Sequence, residues 1–176
     1  LMEKDGEVLY KEGGEDKQDV LSTGGDRSLM SLKGIIEYAD TVNLDEVAPT
    51  LQRQIDMNMA ISQEGLDNAW GASVGKTILE TWGHDVKSCA CARAAAGSDA
   101  RMSGCPLPVV INSGSGNQGI TVSMPVVEYA KSLEVSKEKL YRSLIVSNLV
   151  SVYIKHYIGA LSAFCGAVSA SCGAGA

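Results

Sequence analysis

The sequence predicts a mainly α-helical bundle that carries a small β-hairpin at its amino end and forms part of a larger α+β protein. Three observations predict this. From Ser28 onward, apolar residues recur three and four positions apart, the period of a helix with one buried face. The first ten residues instead place Asp5-Gly6 between the short runs 1–4 and 7–10, a hairpin pattern. Of the 176 residues, 45% are hydrophobic and only 5% aromatic, so small and aliphatic side chains must build the core of one ordinary domain.

A lone hairpin is marginal, so its sheet partners are expected upstream of Leu1. Residues 11–27 are charged and hold Gly13-Gly14 and Gly24-Gly25, the composition of a mobile linker. The chain therefore divides into hairpin and linker at 1–27 and a helical domain at 28–176. The first helix of that domain carries Leu32, Ile35 and Ile36 on one face and ends near Asp40. The second starts from a cap at Asn43 or Asp45, tolerates Pro49 near its first turns, and turns Val47, Leu51, Ile55 and Met59 to the core, with Met57 and Met59 filling space. Gly71-Ala72-Ser73-Val74-Gly75-Lys76-Thr77 is one residue short of a nucleotide-binding P-loop and follows a helix, so nucleotide binding is rejected and Lys76 is read as a solvated helix residue.

An alanine-rich helix comes next, from Val86 to Gly97, where Ala90, Ala94 and Ala95 let neighbours approach closely. Further on, Pro125 either kinks a helix or starts one that ends near Leu133. Ser136 caps the clearest helix, whose apolar face is Leu140, Leu144, Ile145, Leu149 and Val152, with His156 in its last turn and Gly159 at its end. Residues 161–172 are small and apolar throughout, as in a helix packed tightly on all sides.

The chemistry concentrates between Ser98 and Thr121. The apolar run Pro108-Val109-Val110-Ile111 breaks into Asn112-Ser113-Gly114-Ser115-Gly116-Asn117-Gln118-Gly119 and then resumes. Gly114, Gly116 and Gly119 tolerate positive φ, so successive N–H groups can face one concavity. A helix beginning near Gln118 would add its free N–H groups and dipole, suiting a carboxylate or phosphate. Ser113, Ser115, Asn117 and Gln118 offer neutral hydrogen bonds. The same composition also fits a plain connector between buried elements. Asp99 and Arg101, just ahead of the loop, form either a surface ion pair or a device that positions it.

A net charge of −6 and a pI near 4.9 argue against nucleic acid or an anionic membrane as partner. No apolar run reaches 18 residues and no signal peptide opens the chain, so a cytoplasmic protein is expected. Both ends read as cut from something longer. Five cysteines indicate thiol, metal or redox chemistry rather than a disulfide scaffold, and none of their spacings is a zinc signature. Cys165 and Cys172 stand two helical turns apart, about 10 Å, too far for a disulfide. Taken individually, the cysteines read as small core hydrophobes.

At Ser98-Asp99-Ala100-Arg101-Met102, at Asn112 to Thr121, at Ser147-Asn148 and at Tyr157 to Val168, the sequence resembles the L-cysteine desulfidase family, relatives of the alpha subunit of iron-sulfur L-serine dehydratases. The resemblance implies a pyridoxal-independent α,β-elimination of L-cysteine, or of L-serine as the nearest rival, dependent on a [4Fe-4S] cluster held by three cysteines. It implies that Ser113, Gly114, Ser115, Gly116, Asn117, Gln118 and Gly119 bind the amino-acid carboxylate, with Asp99 and Arg101 positioning the loop. Cys165 matches one cluster ligand, the other two lying downstream of Ala176 and the base upstream of Leu1. On that reading the isolated segment holds a partial site and is inactive. The expected partner is a small amino acid, with a second copy of the chain as a possible mate for the small-residue helices. A noncatalytic helical scaffold that keeps the anion-binding loop is the alternative from another class.

Overall fold

The computed structural model describes residues 2–4, 7–10, 26–159 and 165–176, and side chains within 26–159 and 166–176. By its contacts the chain divides into Leu1–Met30 and Ser31–Ala176. In the first unit, Met2–Lys4 and Glu7–Tyr10 are given as two short antiparallel strands. The expected turn at Asp5-Gly6 and the linker 11–25 lie outside the described residues, so the hairpin gains no support as a unit of the fold. A short 3-10 turn spans Arg27–Leu29.

The second unit is helical, as expected. Its described residues form α1 (Leu32–Thr41), α2 (Leu44–Asp67), α3 (Val74–Trp82), α4 (Val86–Met102), α5 (Gly116–Ser132), α6 (Lys137–Ile158) and α7 (Cys165–Gly175). Side-chain oxygens start four of these helices, each accepting from an otherwise orphaned N–H. Ser31 accepts from Gly34, Asn43 from Asp45, Asp85 from Ser88 and Ser136 from Lys139. The N–H of Ser88 holds the Asp85 carboxyl below its ordinary value of 3.8.

The alanine-rich α4 lies against α2, α3 and α5. Contact there is backbone to backbone: a Cβ on Gly65 of α2 would stand 2.1 Å from the carbonyl oxygen of Ala96, and one on Gly75 of α3 would stand 2.5 Å from that of Ala92. A half-buried ion pair ties α4 to α5, with Arg93 Nε 2.7 Å from Glu128 Oε1. On the other side of α5 lie α6 and α7, and α1 packs on α6. One apolar cluster gathers Ala39, Leu51, Tyr141, Leu144 and Ile145; another gathers Ile61, Ala100, Ile120, Met124 and Val127.

Several expectations need correcting. On α1 the buried residues are Ile35 and Ala39, while Leu32 and Ile36 are each 52% exposed. On α2 the buried stripe runs Leu51, Gln54, Asn58, Ile61, Ser62 and Gly65, with Val47, Ile55 and Met59 only flanking it. Three polar side chains thus occupy the face that apolar spacing assigned elsewhere. Pro49 sits in the second turn of α2, near its start as expected.

Gly97 does not end α4, which continues to Met102; a Cβ at Gly97 would meet Ser62 Oγ at 2.6 Å, so the glycine marks close packing. Pro125 lies inside α5 instead of starting a helix. α7 is buried along Gly166, Ser169, Ala170 and Gly173 but exposes Ala167, Val168, Ser171 and Cys172, so it is packed on one side. None of the four cysteines whose side chains are described is fully buried: Cys89 and Cys105 are half-buried, Cys105 against the Ile61 cluster, and Cys91 and Cys172 are exposed. Lys76 is half-buried and donates to the Asp67 carbonyl at 3.1 Å, closing the carboxyl end of α2. Among the described residues no helix is long and apolar enough to cross a membrane.

Candidate functional site

The Gly-rich stretch begins as a tight loop and becomes the first turn of α5. Asn112 and Ser115 exchange backbone hydrogen bonds of 3.1 and 3.0 Å across Ser113 and Gly114. Those two central residues both have positive φ, 49° at Ser113 and 84° at Gly114. Successive left-handed residues of this kind turn peptide N–H groups toward one side. Only Gly114 serves the turn as a glycine. Gly116 and Gly119 belong to the helix and are small for another reason, since a Cβ there would meet Arg101 Nε at 2.3 Å or the Val110 carbonyl oxygen at 1.9 Å.

α5 opens at Gly116, two residues before the expected start, and Ser115 gives it no side-chain cap. The first turn therefore presents unclaimed N–H groups beside the loop, the arrangement that receives an anion. Arg101 lies across this turn, its Nη1 donating to Asn117 Oδ1 at 3.0 Å. Gln118 faces the opposite way and is buried. Its amide fills the space beside Gly166, where a Cβ would stand 2.0 Å from Nε2, and its Oε1 accepts from Ser169 Oγ at 3.4 Å. The first turns of α5 and α7 are thereby locked together, which brings Cys165, the first residue of α7, close to the loop's helix.

Asp99 and Arg101 form no ion pair. Asp99 Oδ2 instead accepts from the Val74 N–H at 2.7 Å. Ser73, with φ 54°, makes no cap of its own, so the carboxylate from α4 caps α3 in its place. Asp99→Ala is accordingly expected to lower stability by about 1 kcal/mol while leaving substrate KM unchanged in the full-length protein. A raised KM with an unaltered denaturation midpoint would return Asp99 to a positioning role.

A buried amide network that the sequence did not signal fixes the loop from below. Asn112 Nδ2 donates to the side chain of Asn148 at 3.0 Å and to its carbonyl at 3.3 Å. Asn148 in turn exchanges two bonds with Gln54, of 2.8 and 3.0 Å. One turn along α2, Asn58 accepts from the Val110 N–H at 2.9 Å and donates to its carbonyl at 3.3 Å and to Ser123 Oγ at 3.1 Å. The strings of the resemblance touched this network only at Asn112 and Asn148; Gln54 and Asn58 sit on a helix whose polar residues carry no motif.

The thiols do not assemble. Among the described residues no group of three or more His, Cys, Asp or Glu could hold a metal ion. A four-iron cluster needs several thiolates held together. The described residues do not fit that requirement by themselves.

A helical domain with an anion-receptive loop, braced by buried amides and joined to the start of a cysteine-bearing helix, is the class that fold and site define. The serine dehydratase alpha chain model matches residues 7–176, and the chain belongs to that family. These are lyase-type enzymes of amino-acid breakdown, generally iron-sulfur dependent. The chain is 53% identical over 175 residues to a UPF0597 protein of Desulfitobacterium hafniense, covering 99% of this chain and 40% of that one. It is 54% identical over 175 residues to a UPF0597 protein of Lachnoclostridium phytofermentans, covering 99% and 41%. Against a UPF0597 protein of Aeromonas hydrophila the identity is 41% over 181 residues, covering 100% and 41%. The chain thus spans about two fifths of the length of these relatives. No solved structure matches it.

Proposed function

We propose that the protein to which this segment belongs catalyses the pyridoxal-independent α,β-elimination of L-cysteine. Loss of the Cα proton and of hydrosulfide from Cβ gives an enamine, which water converts to pyruvate and ammonia. In this reading the Ser113–Gly119 turn holds the substrate carboxylate through backbone N–H groups, with Ser113 and Ser115 as neutral donors at its rim. Arg101 fixes Asn117 and so the first helical turn. Gln118 joins that turn to α7, and Cys165 is one ligand of a [4Fe-4S] cluster completed by cysteines outside this segment. When bound, such a cluster supplies a Lewis acid for the β substituent.

The observation that carries the reading is the meeting of an uncapped α5 turn with the start of α7. A carboxylate seat at the start of α5 and a cluster ligand at the start of α7, whose next residue packs on Gln118, suit a substrate bound at both ends. L-Serine as substrate is the second reading, favoured by the family description itself.

The full-length protein, purified without oxygen, tests both. Expected are bound iron near four per chain, equimolar sulfide and pyruvate from L-cysteine, and loss of iron and turnover in Cys165→Ala. Pyruvate from L-serine but none from L-cysteine transfers the assignment to the dehydratase. Iron-free protein without turnover after reconstitution leaves the scaffold alternative.

A further inference from the structure

α6 carries a buried lysine that none of the roles above uses. Lys155 is 9% exposed and has no hydrogen-bond or ion-pair partner among the described residues. One turn earlier on the same face, Ser151 is fully buried and its Oγ is also unpartnered. The stem of Lys155 is held in the packing while no anion stands opposite its ammonium, so an arriving anion meets a charge that the described residues do not neutralise.

The packing shows where this face looks. Ser147 Oγ donates to the Val122 carbonyl of α5 at 2.6 Å, and Ser151 lies against Gly173 of α7. The carboxyl ends of α5 and α7 gather beside the first half of α6, so both helices run antiparallel to it. Their first turns are therefore level with the last turns of α6. On the α6 surface Lys155 lies four residues beyond Ser151, which faces α7, and seven beyond Asn148, which faces the loop at Asn112. Its side chain leaves the helix between those two directions, toward the junction of the loop with the starts of α5 and α7.

Residues 100–127 and 139–176 include no Asp or Glu, although the chain as a whole carries a net charge of −6. The first turn of α5 with its loop and the last turns of α6, which carry Lys155, lie at the same end of the bundle.

We infer that Lys155 is the cationic anchor for the α-carboxylate of a small amino acid, held between its ammonium and the N–H groups of the Ser113–Gly116 turn. This rests on the reading of that turn as the carboxylate seat and adds the charged residue that completes it. It is a binding residue, and no proton transfer is assigned to it.

The test uses the full-length protein and a ligand that cannot react, L-alanine, with L-alaninamide as the probe lacking the carboxylate charge. Calorimetric titration of the wild type should show L-alanine bound and L-alaninamide much weaker. Lys155→Met should weaken L-alanine roughly a hundredfold and leave L-alaninamide unaffected, while Lys155→Arg recovers part of the loss. The ligand-free Lys155→Met protein should melt near the wild-type temperature, because the side chain makes no ion pair or hydrogen bond for the substitution to break and its apolar stem is kept.

A lower melting temperature with unchanged L-alanine affinity would mean that Lys155 pairs with a carboxylate elsewhere in the full-length protein, and would overturn the inference. So would equal loss of both probes, or a wild type that binds neither. Elimination that persists in Lys155→Met with unchanged KM would sink the anchor while sparing the proposed reaction. L-Alanine binding that depends on Lys155 in a protein without turnover would do the reverse.

Discussion

Gly119→Ala is expected to cost the full-length protein about 3 kcal/mol or more and to abolish amino-acid binding, the largest effect of any single methyl group in this segment. The added carbon would stand 1.9 Å from the carbonyl oxygen of Val110 and 2.9 Å from its carbon. Both are backbone atoms, so no rotamer change relieves the clash. α5 has to move away from the extended stretch that ends at Asn112, and the Asn112–Ser115 pairing spans that gap. Denaturant titration of wild type and variant, read by circular dichroism, measures the loss. An unchanged midpoint would show that α5 and the Val110 backbone are farther apart than described.

Asn58→Ala acts on the same stretch from the other side. Asn58 is wholly buried, and its amide satisfies both the N–H and the carbonyl of Val110 as well as the Ser123 hydroxyl. Alanine leaves those backbone groups unpaired and opens a small void. Together these are expected to cost about 3 kcal/mol. Asn58→Asp separates the two contributions: it keeps the acceptor for the Val110 N–H but sets a carboxylate oxygen against the Val110 carbonyl, so it too should destabilise. A folded Asn58→Asp protein with wild-type stability would mean that the donated bonds contribute nothing.

The caps at Asn43 and Ser136 were legible because capping is local chemistry, each side chain acting within three residues of itself, whereas the caps at Ser31 and Asp85 went unread. The loop was legible as a tight turn for the same reason, through adjacent glycines and small polar residues. What escaped was everything settled between helices. Gly97 looks like a stop signal in one dimension and is a contact surface in three. The buried stripe of α2 could not be found from apolar spacing, because Gln54 and Asn58 are hidden by virtue of partners 94 and 52 residues away. Asp99 read as a neighbour of Arg101, yet its bond goes to Val74, 25 residues back. Lys155 carried no motif at all, and only its burial distinguishes it from a surface lysine. The family assignment came from strings that fold into the loop and the turns beside it, which is where identity of residue rather than of pattern is required.

The amide network under the loop also bears on when the site comes into being. Gln54, Asn112 and Asn148 belong to three parts of the chain, joined by bonds that span 94 and 36 residues. Each such closure carries an entropic cost that is recovered only once the helices flanking it are in place. The left-handed pair at Ser113 and Gly114 is therefore not a local motif that a short peptide could preserve. It is a product of the docked helices, and a nascent chain acquires this turn only after α6 has closed over α2.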